Sequence, residues 1–345
     1  MVLCIQRVLK VRVLRISGFL KDRFTIARVR LHSDRPIAAL QMCVICATSH
    51  TEKPPSKELV KLVLKAGTGS RMCVSHCVSL LMHRLNKTKS WIVALKCLTL
   101  IHQALQHGGF IYQDQFLSLN PRSGGKNLLN FSRFRDRSSP LAWEASSWIR
   151  WYAGFLETLI KASATPSIGH DLSSLQNDAV IAGILPLEAL LREIGHCPLI
   201  TDILQQGSHV LISDAFRLVV KDCITKHNEL RIHMKEACER LDGLTVLQIT
   251  ELLRVYEIVN SERDTFVTLT EHAVSMNLLH PKACLDHRIL KDDELMNIKA
   301  AIAEAVRVSK AAVAQMSRRK DASLGSFVSP LKLLPLGIWK SSEGR

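Results

Sequence analysis

The sequence predicts an all-α protein, an array of stacked antiparallel helices, and three observations predict it. Only 5% of the 345 residues are aromatic although 47% are apolar. β-Branched residues seldom alternate with polar ones, so the period-2 pattern of a half-buried strand is nearly absent. Each cluster of breaker residues separates segments long enough for several helical turns. No fixed-period repeat of the tetratricopeptide, ankyrin or leucine-rich kind is visible. With 22% charged residues, 11 Pro and 16 Gly, a mainly disordered, collagen-like or low-complexity chain is excluded. No apolar run approaches the roughly 18 to 20 residues of a membrane-spanning helix, so a soluble or peripheral protein is expected.

The elements follow in order. From Arg71 to Leu85, Val74, Val78, Leu81, Met82 and Leu85 fall at helical spacing, and Asn86-Lys87-Thr88-Lys89 interrupts them to make a helix hairpin. Ser90 is placed to cap the next helix, whose residues Trp91 to Leu95, Leu98, Leu100 and Ile101 are apolar on nearly every side. Such a helix belongs at the centre of a bundle, and Gly108-Gly109 ends it. Residues 120–125 read as a loop, Leu128 to Phe134 as a short element, and Ser138-Ser139-Pro140 as the start of a helix running to Ile160 with Trp143, Trp148 and Trp151 in the core. A polar linker spans about Ala164 to Asp178, and helical patterns resume at 180–206, 208–240, 244–279 and 291–318.

Charge gives the first functional clue. Residues 1–165 hold 25 Lys+Arg against 8 Asp+Glu, a net +17, while residues 166–345 hold 21 against 23, a net −2, so the whole basic excess sits in one half. That half is suited to a polyanion, whether nucleic acid, an anionic leaflet or a phosphorylated headgroup. The ten cysteines form no CxxC pair and read as reduced core thiols of a cytosolic protein. Cys73, His76 and Cys77 have a spacing that could hold a metal, but no second ligand pair follows. The opening MVLCIQRVLKVRVLRISGFL is basic, apolar and free of acids, which fits a membrane-surface segment and also a mitochondrial presequence. Enzyme motifs are missing: Gly-Thr-Gly-Ser at 67–70 lacks a strand-then-helix frame, Gly124-Gly125-Lys126-Asn127 is not a phosphate loop, and there is no HExxH, GxSxG or kinase set. No cofactor is implied, and the basic residues are not interleaved with stacking aromatics as in a nucleic-acid-binding surface.

Several words between Ile16 and Ile160 come in one order. They are Ser17-Gly18-Phe19-Leu20-Lys21-Asp22, Cys46-Ala47-Thr48-Ser49-His50 with Pro54-Pro55-Ser56-Lys57, the hairpin Arg84-Leu85-Asn86-Lys87-Thr88-Lys89-Ser90-Trp91-Ile92-Val93-Ala94-Leu95-Lys96, Leu100-Ile101-His102, and Asn130 to Trp143. Together they resemble the ANTH domain of clathrin assembly proteins, most closely its small plant members. The resemblance implies an ENTH/ANTH-like helical solenoid that docks on phosphatidylinositol 4,5-bisphosphate in an anionic membrane, helps recruit clathrin and in some members holds a vesicle SNARE helix. It also implies a cytoplasmic protein peripheral on plasma-membrane coated pits, coated vesicles and Golgi. The expected organisation is a basic apolar segment at 1–15, a membrane-binding part at 16–165, a linker at 166–178, a second helical stack at 179–317 and a short basic tail at 318–345.

The lipid motif departs from the family pattern. Cys46 stands where the family begins with Lys, and Ser56, Lys57, Glu58 and Leu59 stand where it has a basic cluster. Of the motif His50 and Lys57 remain, and Lys53 and Lys61 lie close enough in sequence to compensate in part, so the expected headgroup residues are His50, Lys53, Lys57 and Lys61, supported by a diffuse basic surface of Lys10, Arg12, Arg15, Lys21 and Arg23. Losing motif lysines leaves open a scaffold that no longer binds lipid specifically. Leu333-Leu334-Pro335-Leu336-Gly337 resembles a clathrin box without its acidic residue, and the 27 residues after Arg318 contain no DLL, DPF or NPF, so clathrin heavy chain is the less supported partner. Leu252, Val255, Val259 and Phe266 share helical spacing that fits either a SNARE groove or core.

Overall fold

The computed structural model describes residues 17–30, 35–119, 128–163, 172–198, 210–281 and 288–322. Among these residues the secondary structure is entirely helical, with twelve α-helices: α1 (17–30), α2 (Arg35–Ala47), α3 (Lys57–Lys65), α4 (Arg71–Lys87), α5 (Trp91–His107), α6 (Phe110–Ser118), α7 (Pro140–Ala162), α8 (Asn177–Gly195), α9 (Val210–Glu239), α10 (Val246–Ser261), α11 (Arg263–Ser275) and α12 (Asp292–Ala322). The packing follows chain order: α2 lies on α3 and α4, α4 on α5, α5 on α7, α7 on α8, and α8 on α9 and α10. The helix α9 reaches back to α5, and α12 packs on α10. No described helix is long and apolar enough to cross a membrane.

The centre is α5, as its all-round apolarity requires. Every residue from Trp91 to Leu98 is buried, including Lys96. A polar pin fastens this helix to two others. The Tyr152 hydroxyl on α7 donates to His102 Nδ1 (2.8 Å), and the other ring nitrogen donates to the Asp222 carboxylate on α9 (2.7 Å). The Gln106 amide also donates to Asp222. Buried polar groups tolerate such a site only when paired.

Turn chemistry sets several boundaries. Pro140 occupies the first turn of α7, and Ser139 caps it by accepting the Ala142 N–H (3.1 Å). At the other end of the hairpin, Gly109 has φ of 80°, and a Cβ built on Gly67 would stand 1.5 Å from the Gly108 carbonyl oxygen. Only glycine lets these two turns touch.

Other expectations are corrected. Ser90 makes no side-chain cap; the carboxylate of Asp136, 45 residues on, accepts the Trp91 N–H at 2.9 Å instead. Within the 180–206 pattern α8 ends at Gly195, residues 199–206 lying outside the described residues, and 244–279 divides at Glu262, whose carboxylate lies over Gly195. Leu128 to Phe134 is turn and irregular backbone pinned by buried Leu129 and Phe131. Trp148 is core and Trp151 half-buried, but Trp143 is 50% exposed beneath the Arg137 guanidinium. Leu252, Val255, Val259 and Phe266 are all buried, so that stripe is core. Within the segment read as linker, Leu172–Ser174 is a 3-10 turn whose Leu172 carbonyl accepts from Arg240 (2.8 Å).

Burial pushes the thiols of Cys77 and Cys97 up to about 11 and that of Cys223 up to about 12. Cys77 accepts the Tyr112 hydroxyl at 3.2 Å while His76 is exposed, and no group of three or more metal-ligating side chains converges among the described residues.

Candidate lipid-headgroup interface

The segment Thr48 to Ser56 cannot continue either neighbouring helix. Thr48 folds its hydroxyl back onto the Val44 carbonyl (2.7 Å) at the end of α2, and Pro54-Pro55 resists helical backbone. Ser56 then restarts a helix: its backbone is extended (φ −64°, ψ 146°), and its hydroxyl accepts the Leu59 N–H (3.3 Å) as the N-cap of α3.

Between those ends the loop is tied down by buried charge. Lys96 on α5 is 3% exposed and donates to the carbonyls of Ser49 (3.1 Å) and Thr51 (2.7 Å) and to the Thr51 hydroxyl (3.3 Å). Arg84 on α4 bonds the Thr48 carbonyl (2.8 Å) and Asp22 Oδ1 (3.0 Å). Asp22, on α1, accepts both the backbone N–H and ring Nδ1 of His50 through Oδ2, each at 2.9 Å. Burial alone would raise the Asp22 carboxyl; the His50 bonds and Arg84 outweigh it and hold it below its usual value. Lys96 shifts from 10.5 down to about 8, chiefly because burial disfavours its charge, with Asp22 opposing.

The expected residues divide into two kinds. His50 is a half-buried anchor facing Asp22, its ring so close to Gly18 that an added Cβ there would lie 2.7 Å away. Lys53, Lys57 and Lys61 are exposed. Lys57 and Lys61, spaced i, i+4, share one face of α3 with exposed Lys65, which the motif match did not include, while Val63 is buried behind them. Glu58 lies among these lysines, its carboxyl lowered first by its own backbone N–H and the Ser56 hydroxyl and then by Lys61 and Lys57. Cys46 is exposed at the end of α2.

On α1, Lys21 and Arg23 are exposed beside exposed Phe19, Leu20 and Phe24, and the Arg23 guanidinium lies 5.7 Å from the Phe19 ring centroid. The Asp22–His50 bonds bring this helix to the loop. Lys10, Arg12 and Arg15 lie outside the described residues. Asp22, Arg84 and Lys96 were missed as site residues. A signal existed for one of them: Lys96 is the lone charge in the apolar run Trp91 to Leu98, and a charge there must find buried acceptors.

The family profile described as the ANTH domain matches residues 39–230. "Putative clathrin assembly protein At4g40080" of Arabidopsis thaliana is 37% identical over 256 residues, covering 69% of each chain. Its namesake At5g57200 from the same plant is 31% identical over 59% of this chain and 36% of its own length. At2g01600, also so named, is 38% identical over 41% of this chain and 24% of its own length. With an all-helical stack, a profile match across more than half its length and a relative aligned over more than two thirds of both sequences, the chain belongs to the ANTH domain family.

Proposed function

We propose that this chain is a non-enzymatic peripheral membrane adaptor of clathrin-mediated endocytosis and coated-vesicle assembly. It binds phosphatidylinositol 4,5-bisphosphate on the face formed by α1, the Thr48–Ser56 loop and α3. The observation that carries this reading is the loop itself: four successive residues are held from three helices, beside exposed Lys53, Lys57 and Lys61. Each lysine near an anionic surface contributes about 1 kcal/mol, so three of them beside a basic α1 support reversible attachment. Exposed Phe19, Leu20 and Phe24 add apolar area that can enter the headgroup region. The adaptor role, with clathrin as partner, is supported by the relatives' names as clathrin assembly proteins and by family membership; coated pits, coated vesicles and Golgi membranes are the locations that the resemblance implies.

The test is co-sedimentation with neutral vesicles, phosphatidylserine vesicles and phosphatidylinositol 4,5-bisphosphate vesicles of matched charge, beside a Lys53/Lys57/Lys61 triple-Gln variant. Preferential sedimentation with the phosphoinositide, lost in the variant, is the expected result. Equal binding to both anionic vesicles would replace the site with a diffuse surface. Binding to none would leave a protein-interaction scaffold, the reading that neutral Cys46 and acidic Glu58 at motif positions favour.

A further inference from the structure

The exposed lysines supply attraction, but the groups that set the loop's shape lie beneath it. We propose that Asp22, Arg84 and Lys96 are positioning residues for the headgroup site. By fixing the backbone of Thr48–Thr51, they decide whether the surface above recognises the arrangement of phosphates on an inositol ring or only counts negative charge. This rests on the reading of the loop and α3 as that site.

The geometry argues for a built device. Consecutive polar groups of the loop backbone meet three charged side chains from three helices: Arg84 takes the Thr48 carbonyl, Asp22 the His50 N–H, and Lys96 the carbonyls of both Ser49 and Thr51. A surface loop of this length could satisfy those groups with water at no cost to the core. Instead α5, apolar on every other side of its first two turns, gives up a core position to an ammonium. An apolar side chain there would fill the space without desolvating a charge, so the lysine is explained by what it orders. Among the described residues, every acceptor of its ammonium lies in this one loop.

Asp22 joins the two halves of the device: Oδ1 holds Arg84 and Oδ2 holds His50 twice, while Gly18 leaves room for the imidazole and nothing larger. With Nδ1 committed to Asp22, the ring has one orientation, and Lys53 and Lys57 follow from a backbone fixed only three to seven residues earlier. Mobile lysines on a free loop would bind any polyanion equally; lysines issuing from a fixed loop can match a particular spacing of phosphates.

Asp22→Ala separates shape from charge because it raises the net charge by one. If charge alone governs, this variant binds both anionic vesicles more tightly. If Asp22 positions the loop, its preference for the phosphoinositide over charge-matched phosphatidylserine falls by about tenfold while phosphatidylserine binding holds or rises. Lys96→Met, which lowers the charge by one, should lose the same preference. Gly18→Ala, which changes no charge but displaces His50, should lose it as well. Thermal unfolding and circular dichroism confirm that each stack is intact, and if Lys96→Met fails to fold the other two variants decide. Folded Asp22→Ala and Gly18→Ala proteins that keep the wild-type preference overturn the proposal. A wild-type chain with no preference overturns the headgroup reading, and the positioning role with it, before any variant is measured.

Discussion

Replacing Lys96 by methionine should let the wild type gain stability over the variant as pH rises from about 8 to 10.5. The ammonium makes three contacts with Ser49 and Thr51, and its folded-state value is lowered from 10.5 to about 8 by burial. Below pH 8 the folded and unfolded chains both carry the proton, and the difference between the two proteins is flat. Between 8 and 10.5 the unfolded lysine keeps a proton that the folded one has released, so stability contributed by this group rises with pH and levels off above. A fall from 10.5 to about 8 corresponds to about 3 kcal/mol in a sealed site; at a loop near solvent, screening reduces this to about 1–2 kcal/mol. Near pH 7 the absolute gap is small, because charge-assisted bonds of about 1.5–3 kcal/mol stand against desolvation of the ammonium. Urea unfolding of both proteins followed by circular dichroism across this range gives the slope. The Cys97 thiol next door, raised to about 11 by burial, loses stability as pH climbs, but it is present in both proteins and cancels to first order. A gap that stays flat or narrows with rising pH would refute the account of Lys96 as an ammonium whose burial costs more than its bonds to the loop return.

Three further outcomes are expected. Gly67→Ala drives a Cβ to 1.5 Å from the Gly108 carbonyl oxygen, a clash with backbone that no rotamer relieves, and should cost about 3 kcal/mol or more, read as a lowered urea midpoint. Asp136→Ala strips the Trp91 and Ser138 N–H groups, both at 2.9 Å, of their acceptor and should cost about 1–2 kcal/mol, with amide exchange rising first at the start of α5. Asp222→Ala leaves His102 and Gln106 facing an empty carboxylate position between α5 and α9; the expected loss is about 2–4 kcal/mol in the same urea assay, without change in vesicle binding.

What the sequence made legible was periodicity and local turn chemistry. The all-round apolarity of Trp91 to Leu98 placed α5 at the centre, and Ser139-Pro140 announced the start of α7. Long-range substitutions for local signals were not legible. Ser90 looks like a cap, but its task is taken by Asp136, whose nearness depends on the packing of α7 against α5. The break at Glu262 has no Gly or Pro beside it; the chain turns there because α11 must fold back to bury Phe266. The candidate site divides in the same way. His50 and Lys57 follow from motif position and Lys53 and Lys61 from their nearness to it in sequence, whereas Asp22, Arg84 and Lys96 come from separate helices and converge only in three dimensions.

That division bears on how an eroded lipid motif can still serve. Affinity for an anionic leaflet grows with the number of lysines and arginines and is screened over about 8 Å at physiological salt. It can therefore be redistributed: Lys61, Lys65, Lys21 and Arg23 are exposed alternatives to the lysines that Cys46, Ser56 and Glu58 replace. Selectivity cannot be redistributed in this way, since it depends on a fixed spacing of donors, and on the proposed reading that spacing is set by bonds of 2.7–3.1 Å from largely buried side chains that salt scarcely reaches. On the proposed reading, raising ionic strength should therefore weaken binding to all anionic vesicles steeply while leaving the ratio between phosphoinositide and charge-matched phosphatidylserine nearly constant. A ratio that collapses toward one in parallel with the affinities would show that the loop contributes charge and nothing more.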